Sequence, residues 1–147
     1  MHPRTLAWFE QYAEDHRHPM NRLTHKLAIP MIVFHIMAML SKLPLGGEAA
    51  PWLTVGLVAG LFAGGFWVFH LPKAGAILTV AALAIGPLGA RLPWSVLVGI
   101  AVVGWTVQLA GHSVWERNRP SFLTNLFQSL VGPLFFTALI TGEWPRR

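Results

Sequence analysis

The sequence predicts an all-α integral membrane protein: one helical bundle of four to five membrane segments preceded by an N-terminal interfacial helix. Three observations carry that prediction. The chain is 54% apolar and only 12% charged, where a soluble domain carries about 25% charged residues. Its apolar residues fall into five stretches separated by turns rich in proline, glycine and charge. It also carries 7 Trp and 9 Phe against a single Tyr, more aromatic bulk than a small soluble core requires. At 147 residues a single domain, 1–147, is expected.

The elements follow in order. Residues 1–20 read as an interfacial segment, because Leu6, Trp8, Phe9 and Tyr12 fall near one face of a helix over 5–15. With charges throughout Met1–Pro19 and no apolar centre, this start does not read as a cleaved signal peptide. A second helix starts near Asn21 and enters the first span, 27–43, interrupted only by Pro30 and His35. The second span, 52–70, carries Trp52 and Trp67 near its ends as interfacial aromatics. The third, 76–90, is short and holds Gly86-Pro87, so it is expected to cross only with a kink or in a thin region. The fourth, 94–111, follows Pro93. The stretch 122–140 contains Asn125, Gln128, Ser129 and Gly132-Pro133, and reads either as a fifth span or as a helix lying against the bundle.

Charge narrows the function. The net +5, from 11 basic and 6 acidic residues, is too sparse for the dense basic stripe that binds nucleic acid, so no nucleic-acid partner is expected. Arg4, Arg17, Arg22 and Lys26 precede the first span, Lys73 follows the second, and Arg117 and Arg119 follow the fourth, leaving Lys42 and Arg91 for the other side. That bias predicts a cytoplasmic N-terminus. Four spans between them then put segments 16–26 and 112–120 on the same side of the membrane. Cysteine is absent, which excludes disulfides, thiolate metal sites and cysteine nucleophiles; any metal must be held by nitrogen and oxygen.

Those two segments hold the chemistry. The first, YAEDHRHPMNRLTH, contains Tyr12, His16, Pro19, Asn21, Arg22 and His25, and a break at Pro19 lets His16 fold back toward His25. The second, GHSVWERNRP, follows Gln108, and on a continuous helix Gln108, His112 and Glu116 at i, i+4 and i+8 share one face. Two imidazoles and a carboxylate leave open positions on an iron ion for a bidentate substrate and O2. His16, His25, His112 and Glu116 supply that set with one group to spare.

Plainer readings stand beside these. An interfacial histidine can cap a helix or bond a headgroup. Glu116, beside Arg117 and Arg119, can be salt-bridged or can orient His112. Asn118 fits a helix end before Pro120, and Arg119 suits a substrate carboxylate. His35 lies roughly 15 Å deeper than His25 along a helix and fits a hydrogen-bonded residue within the bundle. His70, near Lys73 at the end of the second span, is a further candidate for the site, while His2 and His18 read as solvated.

Tyr12-x3-His16-x2-Pro19-x-Asn21-Arg22-x2-His25, with Pro30 after it, and Gln108-x2-Gly111-His112-x3-Glu116-x-Asn118-Arg119-Pro120 together resemble the membrane 2-hydroxy fatty acid dioxygenases of phytosphingosine breakdown. The match covers nearly the whole chain, with Ser121 standing where that pattern has alanine. The resemblance implies a small multi-spanning Fe(II) enzyme that uses O2 to remove the carboxyl carbon of a 2-hydroxy fatty acid, leaving an acid one carbon shorter. It implies His16, His25 and His112 as iron ligands, with Glu116 a ligand or the group that orients one. Tyr12, Asn21, Arg22, Gln108 and Arg119 are the candidate substrate-binding residues.

A zinc-dependent membrane lipid hydrolase would use the same ligand types, and a non-enzymatic transporter or structural protein would use the histidines for proton transfer or packing. Oxygen dependence separates the first alternative from the dioxygenase. Compact loops, arginine outnumbering lysine and no retention signal favour a bacterial inner membrane over the endoplasmic reticulum.

Overall fold

A computed structural model of the chain describes residues 1–117, 120 and 125–144. The protein is mostly helical. Helix α1, Pro3–Glu14, opens with Pro3 at its first position and His2 Nδ1 accepting from the Arg4 N–H at 3.2 Å. Its buried face is Thr5, Phe9 and Tyr12, with Leu6 turned outward. Helix α2, Pro19–Ser41, begins in the same way, with His18 Nδ1 accepting from Met20 N–H at 3.1 Å. The two histidines expected to be merely solvated are therefore helix caps.

The chain then makes a two-stranded antiparallel hairpin, β1 Pro44–Gly46 and β2 Ala50–Thr54, pairing Pro44 with Thr54 and Gly46 with Ala50. This corrects two expectations: the fold is not purely helical, and 52–54 do not open the second apolar helix. Helix α3 runs Val55–His70, starting where Thr54 Oγ1 accepts from Leu57 N–H at 3.1 Å. Thr54 is thus both the last residue of β2 and the cap of α3.

Helix α4, Pro72–Gly89, is longer than the expected 76–90 segment and continues past Gly86-Pro87. Pro72 at its first position lets the helix start earlier. Pro87 stands in the last turn, and the N–H it lacks is one that would bond the Leu83 carbonyl. Helix α5, Trp94–Ala110, passes directly into a π-helical turn, Gly111–Glu116. Helix α6 is Gln128–Thr141. Part of the 122–140 stretch, 122–124, lies outside the described residues, as do Asn118 and Arg119.

Three helical stretches, Pro19–Ser41, Pro72–Gly89 and Trp94–Glu116, are long and apolar enough to cross a membrane; Val55–His70 and Gln128–Thr141 are shorter apolar helices. Side-chain size runs opposite to a soluble protein. Gly56, Gly60 and Gly64 line the inner face of α3, and a Cβ at Gly60 would lie 2.8 Å from Leu83 and 3.0 Å from Met37. Large apolar residues point outward instead, among them Phe62, Phe69, Val80 and Val102. Small residues inside and bulky ones outside suit helices whose surroundings are lipid, so the architecture is compatible with a membrane protein.

Helix α6 is the exception. Val131 to Phe136 are buried without a break. Phe135 packs against Phe9 and Tyr12 of α1 at centroid distances of 5.3 and 5.0 Å, and Trp67 of α3 donates its indole N–H to the Leu130 carbonyl at 2.9 Å. This helix ties α1 to the bundle and so fixes where His16 emerges.

Candidate metal centre

His16 follows the end of α1, His25 sits in the second turn of α2, and His112 is carried by the π turn after α5. All three are at most 1% exposed. One nitrogen from each falls within 4.8 Å of the others. The rings meet edge to face, with centroids 4.5 Å apart for His16–His25, 4.9 Å for His16–His112 and 4.7 Å for His25–His112.

Local helix geometry sets which nitrogen faces inward. His16 Nδ1 lies 2.7 Å from the Tyr12 carbonyl, and His25 Nδ1 lies 2.8 Å from the Asn21 carbonyl, each four residues back. A carbonyl only accepts, so both Nδ1 atoms carry the proton and both Nε2 atoms present bare lone pairs. Burial pushes His16 down to about 4, helped by the His112 and Arg22 charges and opposed by the Tyr12 hydrogen bond. It is neutral at neutral pH.

The two lone pairs differ in their partners. His16 Nε2 is buried with no hydrogen-bond partner among the described residues. His25 Nε2 lies 3.0 Å from His112 Nε2 and also 2.7 Å from the Gln108 amide nitrogen. A buried acceptor without a partner costs about 1–3 kcal/mol, and converging imidazoles are the donor set of a transition-metal site. Two nitrogens each roughly 2.1 Å from a shared ion can stand 3.0 Å apart. The residues therefore fit a metal ion.

The other predicted residues separate. Tyr12 stacks on His16, with centroids 4.1 Å apart and 11° between planes. Gln108 reaches His25 as described. Asn21 turns its buried side chain toward Gly111, where a Cβ would collide with Asn21 Oδ1 and Thr24 Oγ1; the missing side chain lets the π turn close on α2. Arg22 is half-buried, and its charge is felt at His16.

Glu116 is not in the histidine group: its Oε1 accepts from the His18 N–H at 2.6 Å, fastening the π turn to the start of α2. The i, i+4, i+8 reading assumed a continuous α-helix. The π turn alters the side-chain rotation after Gly111, and Arg117, with φ 54°, closes it by donating its N–H to the His112 carbonyl. His70 is also elsewhere, its Nδ1 2.9 Å from Thr5 Oγ1 and its ring among Trp8, Phe66 and Phe69. His35 bonds the Met31 carbonyl at 3.0 Å, as expected for a residue within the bundle. Arg119 lies outside the described residues.

A cavity of about 320 Å³ starts at this centre. Its polar lining is Tyr12, His16, Gln108, His112, Gln128 and Ser129. Its length is apolar, walled by Ile29, Val33, Met37 and Leu40 of α2 and by Ala59, Phe62, Ala63 and Trp67 of α3. Gln128 was visible in the sequence as a polar residue in an apolar stretch, but no spacing rule tied it to the histidines.

Fold and site thus define a class: small apolar helical proteins with a buried three-histidine centre at the head of an apolar cavity. Residues 4–144 match the family described as 2-hydroxy-palmitic acid dioxygenase Mpo1-like, and the chain belongs to that family. It is 29% identical over 134 residues to the 2-hydroxy-palmitic acid dioxygenase MPO1 of Saccharomyces cerevisiae, covering 89% of this chain and 74% of the relative. No solved structure matches.

Proposed function

We propose that this protein is a membrane-embedded, Fe(II)-dependent dioxygenase that shortens 2-hydroxy fatty acids by one carbon. The carrying observation is the convergence of three histidine nitrogens at the polar end of an apolar cavity. The family and the yeast relative's name supply the substrate class. The conversion RCH(OH)COOH + O2 → RCOOH + CO2 + H2O balances with the substrate as reductant, so no second organic cosubstrate is required.

His16, His25 and His112 are the proposed ligands. Iron, when bound, supplies the one-electron chemistry that spin-paired organic substrates lack with O2. The protein's own work is binding and orientation. The Tyr12 and Asn21 carbonyls hold two imidazoles in the tautomer that presents Nε2. The α2 and α3 walls take the acyl chain and keep water from the reacting end. Tyr12, Gln108 and the cation of Arg22 are the proposed contacts for the substrate head, together with Arg119; Asn21 packs the π turn onto α2, and Glu116 serves by fastening the turn that carries His112. The distribution of basic residues supports a site facing the cytoplasm, and compact loops with arginine outnumbering lysine support a bacterial inner membrane.

The test is anaerobic Fe(II) titration of purified protein. His16→Ala, His25→Ala and His112→Ala should each weaken binding by at least roughly a hundredfold, while His70→Ala binds as wild type does. Equal binding by wild type and the His112 variant would sink the assignment of the centre.

A further inference from the structure

Gln128 is the first residue of α6 and only 4% exposed. It lines the same cavity as Tyr12, His16, Gln108 and His112, and its Oε1 is buried without a hydrogen-bond partner among the described residues. Nothing in the metal centre uses it. Folded proteins leave few such acceptors, because each costs about 1–3 kcal/mol. A ligand that occupies the cavity must then supply a donor.

The two ends of the proposed substrate differ in what they offer. An ionised carboxylate only accepts hydrogen bonds, and an acyl chain does neither, whereas the 2-hydroxyl is a donor. Gln108 Oε1 is likewise buried without a hydrogen-bond partner among the described residues, on a side chain whose amide nitrogen is directed at the bare Nε2 of His25 and so belongs to the histidine group. The rest of the lining is apolar apart from Ser129, whose hydroxyl donates to the Leu126 carbonyl at 2.6 Å.

We propose that Gln128 accepts a hydrogen bond from the substrate's 2-hydroxyl and thereby selects 2-hydroxy acids over unsubstituted fatty acids of the same length. This rests on the dioxygenase reading above. A site with a buried group built to bond a hydroxyl rejects the analogue lacking it, since that group is then left unpaired.

The experiment is anaerobic equilibrium binding to iron-loaded protein, with 2-hydroxypalmitate and palmitate as the probes and fluorescence of the cavity tryptophans Trp67 and Trp105 as the signal. Wild type should prefer 2-hydroxypalmitate. Gln128→Leu should lose about tenfold in affinity for 2-hydroxypalmitate and stay within about twofold for palmitate. Gln128→Met, unbranched and closer in shape, carries the same expectation and replaces the leucine variant if that does not fold. An equal loss for both acids would mean a packing role and overturn the proposal, as would an unchanged preference in the variant or no preference in wild type. Wild type binding neither acid would overturn the dioxygenase reading itself, and the role of Gln128 with it.

Discussion

At the scale of single residues, the centre depends on atoms that do not themselves bind metal. Gly111 has no side chain because Asn21 and Thr24 occupy the place where a Cβ would project. Gly111→Ala should therefore push the π turn away from α2, lower iron affinity and cost about 1–3 kcal/mol of stability, measured by iron titration and thermal unfolding in detergent. His16 predicts a pH effect in the metal-free protein. Its folded value of about 4 lies below the ordinary 6.5, so the unfolded chain binds the proton more readily. The stability His16 contributes is complete above 6.5 and is lost as pH falls from there through about 4. Unfolding midpoints of metal-free wild type should drop across that window, and His16→Asn should flatten the dependence; identical profiles would contradict a neutral, buried His16.

At the scale of elements, the partnership of α2 with the π turn matters most. Glu116 holds the first residues of α2 through the His18 N–H, so Glu116→Ala should cost about 0.5–2 kcal/mol, the range for a lost helix cap, yet still bind one iron per chain by metal analysis. Loss of iron from a folded Glu116→Ala protein would make the carboxylate a ligand instead. This residue also marks where sequence reading stops. The two histidine segments could be placed together from charge bias and the chain between them, and His16, His25 and His112 do meet. The π turn could not be read, because one extra residue in a turn leaves no signature in residue type, and it carries Glu116 off the face that i+4 spacing assigns. The 44–54 hairpin was hidden for a similar reason: Trp52 and Leu53 look the same opening an apolar helix or ending a strand. Gln128 comes to the cavity through α6, and that long-range packing is set by Phe9, Tyr12 and Phe135 rather than by any local pattern.

At the scale of the whole molecule, the arrangement joins two environments. Glycines between α3 and its neighbours bring helices close, while Phe62, Phe69 and Val80 face outward as they would toward lipid. The cavity begins at three buried imidazoles and continues between α2 and α3 over an apolar length suited to an acyl chain. A soluble helical protein would have little reason to keep either feature, and a hydrolase would need no oxygen. The most direct test is product analysis by mass spectrometry of membranes containing the protein, supplied with Fe(II), O2 and 2-hydroxypalmitate, with His112→Ala alongside. The account predicts a fatty acid one carbon shorter, formed by wild type only when O2 is present and not by His112→Ala. Absence of that product from folded, iron-loaded wild type, or its formation without O2, would contradict it.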